Sequence, residues 1–193
     1  MTTANKITIL RILLVPFFVT QLLYFTNHDD EWYRRLAILS FAIAAILDAV
    51  DGYIARRYHQ QTELGALLDP VADKLLLVSG LVTLSFDHRP ILDQLPLWLV
   101  ATVFSRDIII LAGMAVIHYT CGKVKVRPHW VGKIATVFQM ITIGWTLLKW
   151  NGSWLFTWSI AAAVCTGFSG LIYIRDGVKQ LSESPASSAL PKL

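Results

Sequence analysis

Charge is what this chain has least of. Only 16% of its 193 residues are Asp, Glu, Lys or Arg, against about a quarter in an ordinary soluble domain. Hydrophobic residues make up 55%, and the mean hydropathy is +0.55, so the composition points to a membrane. The net charge of +4 is modest. Its basic residues fall in short gaps between apolar runs, where a nucleic-acid binder would gather them on a polar face. Cysteine is scarce: there are two, Cys121 and Cys165, and Cys165 lies inside an apolar run. That argues against a disulfide framework and for two unpaired thiols without a role. Nor is a cleavable leader expected. The first apolar stretch, Ile7 to Phe25, is too long for a signal core and lacks a small-residue cleavage site, so it reads as a retained helix. There is no internal repeat and no stretch suited to a soluble domain. Histidine offers no metal site, since His59, His118 and His129 have no partner at ligand spacing, and His28 and His88 lie away from the acids discussed below.

What is present is a series of apolar runs. A bilayer span needs about 20 mostly apolar residues, and six candidates occur, at about 7–25, 35–55, 66–86, 96–117, 130–149 and 153–175. The expected fold is therefore an all-α integral membrane protein of six transmembrane helices, with one membrane domain over 1–180 and a disordered polar tail over 181–193. Pro16 predicts a kink in the first helix, which membrane helices tolerate. The loops give the orientation. With the N-terminus inside, Lys6, Arg56, Arg57, Lys123, Lys125, Arg127, Arg175, Lys179 and Lys192 are internal, against Arg34, Arg35, Arg89 and Lys149 outside. Both termini are thus expected in the cytoplasm, and the chain in the inner (cytoplasmic) membrane. Trp and Tyr residues such as Trp150 and Trp154 flank the spans, as interfacial anchors do.

Five acids fall inside the expected spans: Asp48, Asp51, Asp69, Asp73 and Asp107. A carboxylate in hydrocarbon costs several kcal/mol, so each one needs a reason. One such acid could be half of a buried ion pair, with Arg56, Lys74, Arg106 or Lys133 as partner. Four at regular spacing ask for more. Asp48 and Asp51 are three apart, and Asp69 and Asp73 are four apart, so each pair shares one face of its helix. Both pairs sit at the cytoplasmic ends of successive antiparallel spans, where four carboxylates can converge. Divalent cations would neutralise them, and hard oxygen ligands suit Mg²⁺ or Mn²⁺. Two such ions form a clamp for displacement at phosphorus. Gly52 and Ala55 share the face of Asp48 and Asp51, where they allow either close ligand approach or close helix packing. Arg56 offers a planar donor fork suited to phosphate, and Gly65 marks the return into the membrane.

The run Asp48-Ala-Val-Asp51-Gly52-Tyr-Ile-Ala55-Arg56, followed at fixed distances by Gly65, Asp69 and Asp73, resembles the signature of the CDP-alcohol phosphatidyltransferases at all eight positions. The opening Asn5, Thr8 and Arg11, the six spans and the basic fourth loop extend the resemblance. It implies an enzyme that moves a phosphatidyl group from CDP-diacylglycerol to an alcohol and releases CMP. Two metal ions would be held by Asp48, Asp51, Asp69 and Asp73, with Asp73 also the general base. Gly52, Ala55, Arg56, Gly65, Asn5 and Thr8 would form the CDP-lipid site. A homodimer through membrane helices is also implied, although the sequence shows no clear seam for one.

The acceptor is a separate question. The opening segment and Leu68-Asp69-Pro70-Val71-Ala72-Asp73-Lys74 look most like bacterial members whose acceptor is glycerol 3-phosphate. Such an acceptor needs fixed cations, for which Arg106, Lys133, Lys123, Lys125 and Arg127 are available. Lys123, Lys125 and Arg127 are equally explained by topology or by contact with anionic headgroups. Ser105-Arg106-Asp107 stands where the glycerol 3-phosphate members usually have Arg-Glu. It looks like members that use phosphatidylglycerol and make cardiolipin, which is the alternative. A non-catalytic transporter or lipid-binding scaffold is a third reading, separated from the others by metal-dependent release of CMP.

Overall fold

The computed structural model describes residues 3–58, 63–88, 90–121 and 130–182, less the side chains of 3–6, 49, 51–58, 63–71, 73, 118, 120–121 and 181–182. The described residues form α1 (Thr3–His28), α2 (Glu31–Tyr58), α3 (Glu63–Ser85), α4 (Leu97–Cys121), α5 (Trp130–Leu147) and α6 (Gly152–Ser182). No strand occurs among them. Backbone polar groups in hydrocarbon must bond within their own segment, so apolar runs of this length become helices. Three helices are long and apolar enough to cross a membrane: Ile7–His28, Leu97–Ile117 and Gly152–Gln180. Lys74–Ser85 is a shorter apolar helix. Large apolar side chains such as Leu13, Phe17, Leu111, Val164 and Leu171 are exposed on these elements, a surface that suits lipid and not water. The chain is a multi-pass membrane protein. α1 runs on as helix through Pro16, and Thr20 Oγ1 donates to the Pro16 carbonyl. The thiol of Cys165 is free.

The chain divides into two compact units. One comprises Met1–Leu95 and Met140–Leu155, the other Pro96–Gln139 and Phe156–Leu193. In the first, α1 packs against α2 and α3. Phe18, Leu22, Phe25, Phe41, Leu81 and Ile143 are buried there, and the rings of Phe18 and Phe41 lie 5.5 Å apart. In the second, Gln139 Nε2 of α5 donates to Thr166 Oγ1 of α6 at 2.9 Å, and Thr166 Oγ1 in turn donates a hydrogen bond to the Ala162 carbonyl. Both side chains are buried, and a shared bond is how two polar groups are tolerated there.

Two turns of the first unit follow one plan. Asp29, at φ 51°, ends α1 by donating its N–H to Phe25, and the Asp30 carboxylate accepts from Trp32 N–H to start α2. Lys149, at φ 54°, follows α5, and the Asn151 side chain accepts from Ser153 N–H to start α6. A left-handed residue closes each helix and an Asx cap opens the next. Glu31 joins the two turns. It accepts from Lys149 Nζ at 3.0 Å and from Arg34 Nε, while Arg34 Nη1 donates to the terminal α5 carbonyl of Leu147 at 3.2 Å. The hydrogen bond from Lys149 is the largest cause that holds the Glu31 carboxyl below its ordinary range. Partial desolvation opposes it, and Arg34 adds to it.

Candidate active site

Asp48 lies on α2, about 26 Å along the helix from Glu31 at 1.5 Å per residue. Asp51, Gly52, Ala55 and Arg56 follow it on the same continuous helix, and Gly65, Asp69 and Asp73 lie on α3. The side chains of these seven fall outside the described residues, as do Asn5 and the basic residues Lys123, Lys125 and Arg127. Among the described residues, no three His, Cys, Asp or Glu side chains gather into a metal site.

Asp48 is described in full, and its partner is none of the four basic residues expected from the sequence. Arg11 of α1, 37 positions earlier, donates Nη1 to Asp48 Oδ1. The two ends of this pair differ. The Arg11 side chain is 0% exposed and that of Asp48 is 32% exposed. Thr8, one turn before Arg11, is fully buried as well. The sequence quoted Arg11 only as part of the opening motif. An arginine embedded in an apolar run was the available signal, because a charge there must find a partner. The donor chemistry fits a hard divalent cation. Asp48 keeps an accessible carboxylate, and the backbone sets the remaining acids one helical turn apart on α2 and on α3.

The second unit organises another arginine. Arg106 of α4 donates Nη1 to Asp107 Oδ1 at 2.8 Å and Nη2 to Ser169 Oγ on α6 at 3.2 Å. Its guanidinium carbon lies 5.4 Å from the centroid of the Tyr173 ring. Two glycines make room for it. A Cβ on Gly132 would lie 3.3 Å from Arg106 Nη2, and one on Gly170 would lie 3.3 Å from Arg106 Cγ. The Arg106 Nε is buried and has no hydrogen-bond partner among the described residues. Asp107, the fifth intramembrane acid, is thus half of an ion pair, and the bland explanation holds for it. Lys133 is exposed in the first turn of α5, with Nζ 5.1 Å from the Trp130 ring centroid. Two histidines have local roles: His28 Nδ1 lies 3.1 Å from the Tyr24 carbonyl, and His88 Nε2 lies 2.9 Å from the Thr83 carbonyl.

Comparison with known proteins places the chain. The family model of the CDP-alcohol phosphatidyltransferases matches residues 1–168. A Salmonella paratyphi A protein named CDP-diacylglycerol–glycerol-3-phosphate 3-phosphatidyltransferase is 37% identical over 172 residues, covering 87% of this chain and 90% of its own. Proteins of the same name from Escherichia coli K12 and Shigella flexneri serotype 5b are 36% identical over the same coverage. The family model takes in α1 to α5 and the first half of α6, including Arg11, all four motif acids, Arg106 and Asp107, while Ser169, Gly170 and Tyr173 lie just past its end. This chain belongs to the CDP-alcohol phosphatidyltransferase family.

Proposed function

We propose that the chain transfers the phosphatidyl group of CDP-diacylglycerol to glycerol 3-phosphate, forming phosphatidylglycerophosphate and CMP. The observation that carries this reading is the similarity, over 87% of the chain, to relatives named for that reaction. The complete motif from Asp48 to Asp73 supports the chemistry.

Asp48, Asp51, Asp69 and Asp73 hold two divalent ions, Mg²⁺ or Mn²⁺. When bound, those ions neutralise the diphosphate and the departing phosphate. Gly52, Ala55, Arg56, Gly65 and Asn5 hold the CDP-lipid, and Thr8, expected among them from the sequence, is fully buried and acts only from behind. Asp73 takes the proton of the acceptor hydroxyl. The hydroxyl oxygen bonds to the lipid-side phosphorus, the bridging P–O bond breaks, and CMP leaves with the electron pair. Arg106 and Lys133, with Lys123, Lys125 and Arg127, hold the acceptor phosphate. The fixed guanidinium of Arg106, held by Asp107 and Ser169, supports that role, because a planar donor fork suits a phosphate.

All six helices cross the inner membrane, and residues 1–180 act as one catalytic domain with 181–193 as a polar tail. Both termini and the motif acids face the cytoplasm, where the positive loops are retained. Two copies associate through membrane helices. The test is a reaction of purified protein with CDP-diacylglycerol, Mg²⁺ and either glycerol 3-phosphate or phosphatidylglycerol. Release of CMP with the first acceptor alone is expected. Cardiolipin from the second, with no product from the first, overturns the acceptor.

A further inference from the structure

We infer that Arg11 is a positioning residue for the metal site: it fixes the carboxylate of Asp48 from the buried side and leaves the exposed side to coordinate. The inference rests on the proposed metal role of Asp48.

Arg11 is among the largest fully buried side chains of the protein. A guanidinium does not give up its proton, so this is a permanent positive charge inside packed helices. Removing such a charge from water is costly unless it is paired and hydrogen-bonded. Its bond to Asp48 joins α1 to α2. Arg11 takes Oδ1 and is itself sealed off, while the Asp48 side chain remains one-third exposed. An ordinary buried ion pair would hide both partners. This one hides the cation and presents the anion, the arrangement of a metal ligand with its outer hydrogen-bond partner. The same contact offsets one of the motif's four negative charges before any cation arrives.

Removing Arg11 has two opposed effects on a cation at Asp48. It removes a nearby positive charge, which favours binding, and it frees the carboxylate to rotate, which disfavours binding. Four carboxylates already supply attraction in excess, so orientation decides the sign. Outer partners of this kind are worth about 10–100-fold in metal affinity.

The test is Mn²⁺ binding to the purified full-length protein in detergent, followed by electron paramagnetic resonance without substrate, with the melting temperature measured alongside. Arg11→Met is expected to weaken Mn²⁺ binding about 10–100-fold. Arg11→Lys keeps the charge and loses the planar fork, and it is expected to recover part of the affinity. Asp51→Asn serves as the control. If wild type binds Mn²⁺, Asp51→Asn loses it, and both folded Arg11 variants bind as wild type or more tightly, Arg11 is structural only and the inference is overturned. Failure of both Arg11 variants to fold, where Asp48→Asn folds, overturns it in the same way. If wild type itself does not bind Mn²⁺, or Asp51→Asn binds it unchanged, the metal-site reading falls, and this inference with it.

Discussion

Arg11 and Arg106 are both arginines within apolar helices, and each is paired with an aspartate. They solve the problem of a buried charge differently. Arg11 is sealed from solvent and bonds across helices to a carboxylate that remains exposed. Arg106 is 16% exposed and its Asp107 partner is 15% exposed. Its bond is to its own chain neighbour, and Ser169, Tyr173 and two glycines shape the slot around it. The first arrangement offers an anion and the second holds a cation rigidly, while the Nε of both arginines is buried with no hydrogen-bond partner among the described residues. On the proposed function the first belongs to a seat for divalent ions and the second to a seat for an acceptor phosphate.

The comparison is tested most severely at the acids. Asp48→Asn, Asp51→Asn and Asp69→Asn should each lower kcat/KM by more than about 100-fold, the upper end for an outer partner such as Arg11. Asp73→Asn should cost roughly 10²–10⁴-fold in kcat even at saturating glycerol 3-phosphate, the usual worth of a general base. Steady-state assays of CMP release measure both. Near-wild-type rates in any of the four, or full activity in EDTA, would remove the chemical meaning of the Arg11 side.

Arg106→Ala is the next largest effect. A hydrogen bond to a charged group is worth about 1.5–3 kcal/mol, so KM for glycerol 3-phosphate should rise on the order of 10–100-fold while KM for CDP-diacylglycerol changes little. An equal rise in both constants would make Arg106 a structural ion pair, as Asp107 already is. Gly132→Ala probes the same slot more gently. The added Cβ would sit 3.3 Å from Arg106 Nη2 and 3.4 Å from Ser169 Oγ, so the guanidinium must shift by a few tenths of an ångström. A 1 Å misplacement costs about 100-fold, which makes a change of roughly two- to fivefold in the same KM the expected result. No change in that KM would mean that the guanidinium position does not matter to the acceptor.

The two arginines also mark what the sequence could and could not disclose. The helices were legible because hydrocarbon leaves the backbone little choice, and every expected span falls on a helix to within a few residues, apart from one end. α6 continues to Ser182, past the expected end at 175, through Arg175, Asp176 and Lys179. Hydropathy reports where apolar residues stop, and a helix need not stop there. Cost and spacing single out the four motif acids as candidates. The partner of Asp48 was not legible, because it lies 37 residues away and periodicity within α1 does not say which neighbour a face meets. The slot around Arg106 draws on α4, α5 and α6 at once, and a Gly or Ser in an apolar run carries no mark of the side chain it accommodates.

A third charge cluster, Glu31 with Lys149 and Arg34, sets the lower end of the scale. Unlike Arg11 and Arg106 it is open to solvent, with 46% of the Glu31 side chain exposed. Screening keeps such pairs weak. Its carboxyl is nonetheless held below the ordinary value of 4.5, chiefly by the hydrogen bond from Lys149. A carboxylate whose folded value is depressed binds fewer protons in the folded state than in the unfolded state over the interval between the two values. Its stabilising contribution is therefore complete above about pH 4.5 and declines as pH falls through the lowered value. Glu31→Gln should melt slightly below wild type at pH 7, by at most about 2–4 °C, the shift that matches the ceiling for an exposed pair in a chain of this size. The gap should close as pH falls below 4.5, because wild type then loses the same charge. CMP release should be unaffected at pH 7, since the cluster lies about 26 Å along α2 from Asp48. A gap that widens in acid would reverse the sign of the coupling. A loss of activity at unchanged melting temperature would show that the far end of α2 communicates with the acids, and the separation between a structural end and a chemical end would fail.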